Sequence, residues 1–219
     1  MPASNNALTI GLKARTGRAI LVALAGDARE PIFVARAAFK LLPEGAWAPY
    51  HAAERLAPAE ARKSVKRDVS IAHRLAAARI GEAAERFSDA GYDLVGCAVL
   101  VGTGMPNWTT DEIIAVHVRM HKAEGELFRD VLVAGARACG LRLTTLPEKS
   151  ALDDAAKVLG VTRASLDATI ALLGKSAGSP WRKDEKEAAA AALVAHVAHA
   201  TRPARGAIEK ATAMRPRAR

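Results

Sequence analysis

The stretch ALTIGLKARTGRAILVALAGDAREPIFVARAAFKL, residues 7–41, decides the fold. It holds three strand-like runs, Ala7 to Leu12, Arg18 to Ala25 and Ile32 to Leu41. Ala14, Arg15, Thr16 and Gly17 form the first turn between them, and Gly26, Asp27 and the residues up to Pro31 form the second. Runs this closely spaced leave no length for a crossover, so they pair as antiparallel hairpins.

Working outward, residues 43–57 (PEGAWAPYHAAERLA) read as a loop. From Pro58 to Ala90 the apolar residues Val65, Val69, Ala72, Ala76 and Ile80 fall three and four apart, the period of a helix, which Gly91 closes. Leu94 to Val101 is a continuous apolar run bounded by glycine, the pattern of a buried parallel strand. Thr109 or Thr110 caps a helix that carries Asp111 and Glu112 in its first turn, runs to Ala138 and ends at Gly140. Leu141 to Leu146 is a fifth strand. Helices over Ala151 to Leu159, Arg163 to Leu173 and Lys183 to about His199 complete the chain. The right-handed crossover rule sets the two later strands parallel to the first. The expected fold is α/β, a mixed five-stranded sheet with helices on both faces.

The 219 residues suit one domain, residues 1–200, followed by a basic and flexible tail, 201–219. Half the residues are hydrophobic but only 4% are aromatic, so Ala, Leu and Val must build the core. The net charge of +9 points to a polyanionic partner, a nucleic acid or a phosphorylated ligand. The tail concentrates that charge, with six basic residues, Arg202 and Arg205 among them, against one acid. Cys97 and Cys139 lie in apolar contexts and read as buried thiols, which excludes a cysteine metal knuckle and a secreted disulfide framework. With no signal-peptide pattern and no apolar run of about 18 residues, the expectation is a cytoplasmic protein that does not cross a membrane.

Four motifs stand out: GLKARTG (11–17), PYH (Pro49, Tyr50, His51), HVRMHKAEGELFR (117–129) and GSPWRKDEK (178–186). On these the chain, over roughly residues 8 to 197, is similar to a bacterial protein family, a resemblance that implies sites but no reaction. IGLKARTGRAILVAL resembles the opening hairpin of Holliday-junction resolvases and of actin-like sugar kinases. DEKEAAAAALVAH resembles the closing helix of the resolvases. The resemblance implies a ribonuclease H-like topology. Nucleases of that kind hold two metal ions on carboxylates. Here the first-strand position is Lys13, and the end of the fourth strand offers Leu100, Val101 and Gly102, while the closing helix keeps Asp184, Glu185 and Glu187. An ammonium in that place repels a metal, so ordinary two-metal nuclease chemistry and magnesium-dependent kinase chemistry are not expected.

On a helical wheel His121 and Glu124 fall about 40° and about 20° either side of His117, on the stripe shared by Ile113, Phe128 and Val131, and Glu126 points away toward solvent. A buried carboxylate beside two histidines must be hydrogen-bonded or coordinated. His117, His121 and Glu124 therefore form a candidate site for a divalent metal, with His51 as a further ligand. The alternative is an anion site. Lys13 precedes a Thr16-Gly17 turn whose N–H groups can face an oxyanion, and Arg119 and Arg129 flank the His/Glu face of the long helix. In that reading Lys13, His51, His121 and Glu124 carry any catalysis and Thr16, Gly17, Arg119 and Arg129 hold the ligand. A structural Lys–Glu–His ion network without a ligand is the third reading. Lys175, Arg182, Lys183 and Lys186, with Arg202 and Arg205, extend a basic surface toward nucleic acid. Gly174-Lys175-Ser176 echoes a P-loop but ends a helix instead of opening one. Trp181 reads as an anchor. Two functions follow as expectations: a nucleic-acid-associated binding protein, or an enzyme acting on a phosphorylated or nucleotide substrate.

Overall fold

The computed structural model describes residues 6–200. Three antiparallel strands open the chain: β1 (Ala7–Arg15), β2 (Arg18–Gly26) and β3 (Pro31–Lys40). The β1–β2 register runs without a break to Arg15↔Arg18, so the reversal is made by Thr16 and Gly17 alone. Gly17 supplies the left-handed residue at φ 72° that this reversal needs. The first strand is therefore three residues longer than its apolar pattern suggested, and Lys13 is a strand residue.

β4 (Asp93–Val101) runs parallel to β1, and β5 (Leu143–Pro147) parallel to β4. The sheet order is β3-β2-β1-β4-β5, the ribonuclease H-like arrangement expected from the sequence. The helices are α1 (Pro49–Ala53), α2 (Pro58–Asp89), α3 (Thr110–Ile114), α4 (His117–Ala138), α5 (Ala151–Leu159), α6 (Arg163–Ala177) and α7 (Lys183–Ala200). None of the described helices is long and apolar enough to cross a membrane.

Two boundaries differ from the sequence pattern. The 43–57 segment contains α1, where Pro49 opens the helix with a preset φ and no N–H to satisfy. The helix expected over 110–138 is two. Thr109 and Glu112 form a reciprocal capping box for α3, and Val116 then turns extended (φ −138°, ψ 113°) before α4 begins. Ile113 and Met120 are buried on either side of the break. The apolar period thus continues across it, and periodicity alone joins the two.

Strand alternation divides the core. Leu8, Ile10, Leu12, Leu21, Cys97 and Val99 face α2 and α4. Val22, Leu24, Ala98 and Leu100 face α5, α6 and α7. On β1 the second face carries Thr9, Gly11 and Lys13, and α7 lies directly on it. Ala188 to Ala192 are fully buried there. Thr9 Oγ1 donates to the Ala192 carbonyl at 2.9 Å. A Cβ on Gly11 would overlap the Ala188 carbonyl and stand 2.7 Å from the Ala192 amide nitrogen. Ahead of α7, the Arg36 guanidinium donates to the carbonyls of Gly178 (2.8 Å), Ser179 (2.7 Å) and Pro180. Trp181 packs edge-on against Phe33 at 6.0 Å, the anchor its position suggested.

Gly11→Ala should therefore destabilise the protein by about 3 kcal/mol or more, because backbone must move. Gly81→Ala, in mid-α2 with Cys139 Sγ at a comfortable 3.8 Å, should stabilise it by about 0.5–1 kcal/mol through helix propensity. Urea unfolding followed by circular dichroism measures both, and a Gly11→Ala protein as stable as the parent would contradict the close α7–β1 approach.

Candidate functional site

Parallel strands of an open α/β sheet bring loops together at their carboxyl ends, and ligands bind there. At that end of β1, β4 and β5 lies a cleft of about 680 Å³. Its lining includes Lys13, Gly102, His121, Lys122, Glu126, Arg129, Glu148, Lys149, Lys183 and Glu187. Of the groups expected to meet in one cleft, Lys13 and His121 line it, whereas Glu124, His117 and His51 do not.

Lys13 is 1% exposed. Its ammonium is ion-paired to Glu187, to Glu148 at 3.0 Å and, more distantly, to Asp184 at 3.8 Å. Arg129 donates to Glu148 Oε2 from Nε and Nη2 at 2.8 and 2.5 Å. Arg15 grips both oxygens of Asp184 at 2.8 and 2.5 Å. Burial alone would push the Glu148 carboxyl up, but hydrogen bonds from Lys13 and Arg129 outweigh it and hold the group below its ordinary value. The Arg15 hydrogen bonds hold Asp184 down against the opposing effect of burial. Glu148, Asp184 and Glu187 are each paired with side-chain cations, and the group at the centre of them is the Lys13 ammonium. The residues present do not fit a divalent pair.

A second cluster sits where α1 meets α4. Glu124 is 2% exposed. Its Oε1 accepts from the backbone N–H groups of Tyr50 and His51, both at 3.2 Å, and its Oε2 lies 2.9 Å from His51 Nδ1. The His51 ring in turn lies 5.1 Å from the His117 ring and 4.6 Å from the His121 ring, centre to centre. His121 Nε2 and His117 Nε2 are 3.0 Å apart. Among the described residues, these three histidines bring one ring nitrogen each to within 4.8 Å of the others, close enough for one metal ion. Trp47, largely exposed, stacks on His51 at 5.8 Å.

The wheel set His117, His121 and Glu124 on one inward stripe. Glu124 is buried, but His117 and His121 are exposed, because the break at Val116 makes His117 the first residue of α4, beyond the core. Glu124 is turned to His51 and the α1 backbone. Glu126, expected in solvent, is partly buried against Gly102 and 3.5 Å from Arg129. Lys13, expected to meet an anion, is committed to carboxylates. Neither Thr16, which is exposed, nor Gly17, whose carbonyl accepts from Leu41 N–H at 2.8 Å, is among the residues that line the cleft. Arg119 stands over the Trp108 ring at 4.9 Å and donates to the Glu112 carbonyl at 3.1 Å. Lys175, Arg182, Lys183 and Lys186 are exposed. Arg202 and Arg205, with the whole 201–219 segment, lie outside the described residues. Sequence reasoning missed Glu148 and Trp47. For Glu148 the signal was available, since it is the first residue after a parallel strand, where such sheets place their functional groups.

No family model matches the chain, and no curated protein matches it. Among solved structures it is similar to RuvC of Thermus thermophilus, alone and in complex with a Holliday junction substrate. Identity is 12% in both, over 85% of this chain and 92% or 90% of the other, with a TM-score of 0.45. A likeness this remote carries nothing about the chemistry of this chain.

Removing the Lys13 charge should cost about 3–5 kcal/mol, since it strands buried carboxylates. For Lys13→Met the deficit against the parent should be largest at neutral pH and shrink toward pH 4. Unopposed carboxylates take up protons readily. In the parent, by contrast, the depressed Glu148 and Asp184 contribute stability above their unfolded values that is lost on acidification below them. Urea unfolding at pH 7 and pH 4 tests this, and a deficit that does not change with pH refutes the ion network.

Proposed function

We propose that the protein binds nucleic acid on a ribonuclease H-like scaffold whose usual metal position is closed by its own lysine. The observation that carries this reading is the charge at the cleft. The acids inside it are neutralised by Lys13, Arg15 and Arg129. Lys122 and Lys149, also lining it, have no acid partner among the described residues, and Lys183 reaches Glu187 only at 3.7 Å. The unspent positive charge thus lies at the rim, where a phosphate backbone can reach it. Arg182 and Lys186, exposed at the start of α7, continue that rim. Side-chain ammoniums that bind phosphates release condensed counterions, so affinity of this kind falls steeply with salt.

A second reading, an enzyme acting on a phosphorylated or nucleotide substrate, is favoured by one observation: His121 belongs both to the cleft lining and to the histidine cluster. A nucleotide thermal-shift panel separates this from polymer binding, because a monomeric substrate raises the melting temperature by mass action.

Fluorescence anisotropy with single- and double-stranded DNA and RNA oligonucleotides tests the main reading. Binding should appear at low ionic strength and weaken linearly in log–log against salt. Lys122→Glu, Lys149→Glu and Lys183→Glu combined should reduce affinity at least tenfold and lower the salt slope by about one for each phosphate no longer engaged. No binding at low salt, or a triple variant that binds like the parent, would overturn it.

A further inference from the structure

We infer that His51, His117 and His121 form a transition-metal site of the zinc class, with Glu124 as its orienting carboxylate and a fourth coordination position open to solvent. The inference goes beyond nucleic-acid binding and does not depend on it.

The argument begins with Glu124. A carboxylate that is 2% exposed must have its oxygens satisfied. Here Oε1 takes the two N–H groups of Tyr50 and His51, and Oε2 takes His51 Nδ1. An ionised carboxylate only accepts, so the His51 proton is on Nδ1 and the Nε2 lone pair is free. That Nε2 is buried and has no hydrogen-bond partner. Leaving such an atom unsatisfied is unfavourable, and the Glu–His pair fixes both the tautomer and the ring orientation. A carboxylate holding the far nitrogen of an imidazole is how proteins orient and strengthen a histidine metal ligand.

The other two ligands come from one rigid element. His117 and His121 stand one turn apart on α4, so their rings share a face. Their Nε2 atoms are 3.0 Å apart, and the three rings form a near-equilateral triangle with centre-to-centre distances of 4.6, 4.6 and 5.1 Å. Tetrahedral coordination at about 2.0–2.1 Å from each nitrogen needs donor atoms roughly 3.3 Å apart, within reach of small rotations of two exposed rings. Three imidazoles with no thiolate suit zinc, cobalt or iron, and oxygen-seeking magnesium and calcium are disfavoured.

The surroundings leave one side open. His117 and His121 are exposed, and His121 faces the cleft beside Lys122. Trp47 and Val118 are 59% and 71% exposed, one stacked on His51 and the other lining the cleft next to His121. Three neutral ligands leave the full charge of a divalent ion in place. The open position therefore takes an anion or a water whose proton is made acidic.

The test uses full-length protein freed of any affinity tag, stripped with chelator and titrated with zinc and, separately, with cobalt. One equivalent of each should bind, with the strong visible absorption of tetrahedral cobalt, and magnesium should not compete. His117→Ala and His121→Ala, both at exposed positions, should fold as the parent does by circular dichroism and should each weaken binding at least tenfold. Glu124→Gln should retain the cobalt spectrum while losing about 10–100-fold in affinity, the signature of a positioning residue. If Glu124→Gln does not fold, the two exposed-histidine variants decide alone. A folded parent that takes up no zinc and gives no cobalt spectrum overturns the inference. So does metal binding that survives both histidine replacements.

Discussion

An ammonium on the middle strand of a five-stranded sheet, beneath a helix, is out of reach of water and must find its counter-charges in the protein. Lys13 imposes that condition on the rest of the chain. Its partners are Glu148, the first residue beyond β5, and Asp184 and Glu187 in the opening turns of α7. The pairing joins residues 174 positions apart, and it requires β5 to end and α7 to begin at the same place. The helix start favours acids through its dipole, so Asp184 suits its position twice over. Arg15 and Arg129 then take up the carboxylate oxygens that a single ammonium cannot cover. A network in which every acid has a cation partner favours one arrangement of β1, β5 and α7.

The same condition separates two kinds of chemistry at one end of the sheet. Inside the cleft, charge is internally balanced. At its rim, lysines without acid partners face solvent, and on the α4 side three imidazole rings converge, with the His51 Nε2 buried and without a hydrogen-bond partner. α4 serves both regions: Arg129 reaches toward Glu148, while His117, His121 and Glu124 serve the ring cluster. The break between α3 and α4 makes this compatible with a continuous core. It ends the first helix at the core boundary and lets His117 start the second beyond it.

The fold was legible because its evidence is local. Strand spacing over residues 7–41, glycine-bounded apolar runs and the crossover rule are enough to order the sheet. What sequence could not supply was direction at helix ends. A wheel assumes an unbroken helix with a uniform environment, so it placed His117, His121 and Glu124 on the same inward stripe. It had no means of seeing that Val116 turns extended, or that α1 would bring His51 Nδ1 to Glu124 from a segment read as loop. Lys13 was read as standing where the resemblance would put a metal-binding acid. Its partner Glu148 was missed although it follows a strand already read as parallel, because no period or motif singles out one acid after a short strand. Glu126 was misdirected for a related reason: its angle on the wheel was right for solvent, but the chain leaving β4 at Gly102 covers it.

The run of alanines that seats α7 on the sheet carries a consequence of its own. A methyl group has no rotamers, so Ala188 to Ala192 cannot absorb a misfit by turning aside, and Gly11 beneath them offers no side chain that can yield. The helix sits like a key in a lock cut to backbone width, its register set by the Thr9–Ala192 hydrogen bond and the Lys13–Glu187 ion pair. Because Asp184 and Glu187 ride on that key, whatever displaces the alanines from the sheet also draws two acids away from Lys13.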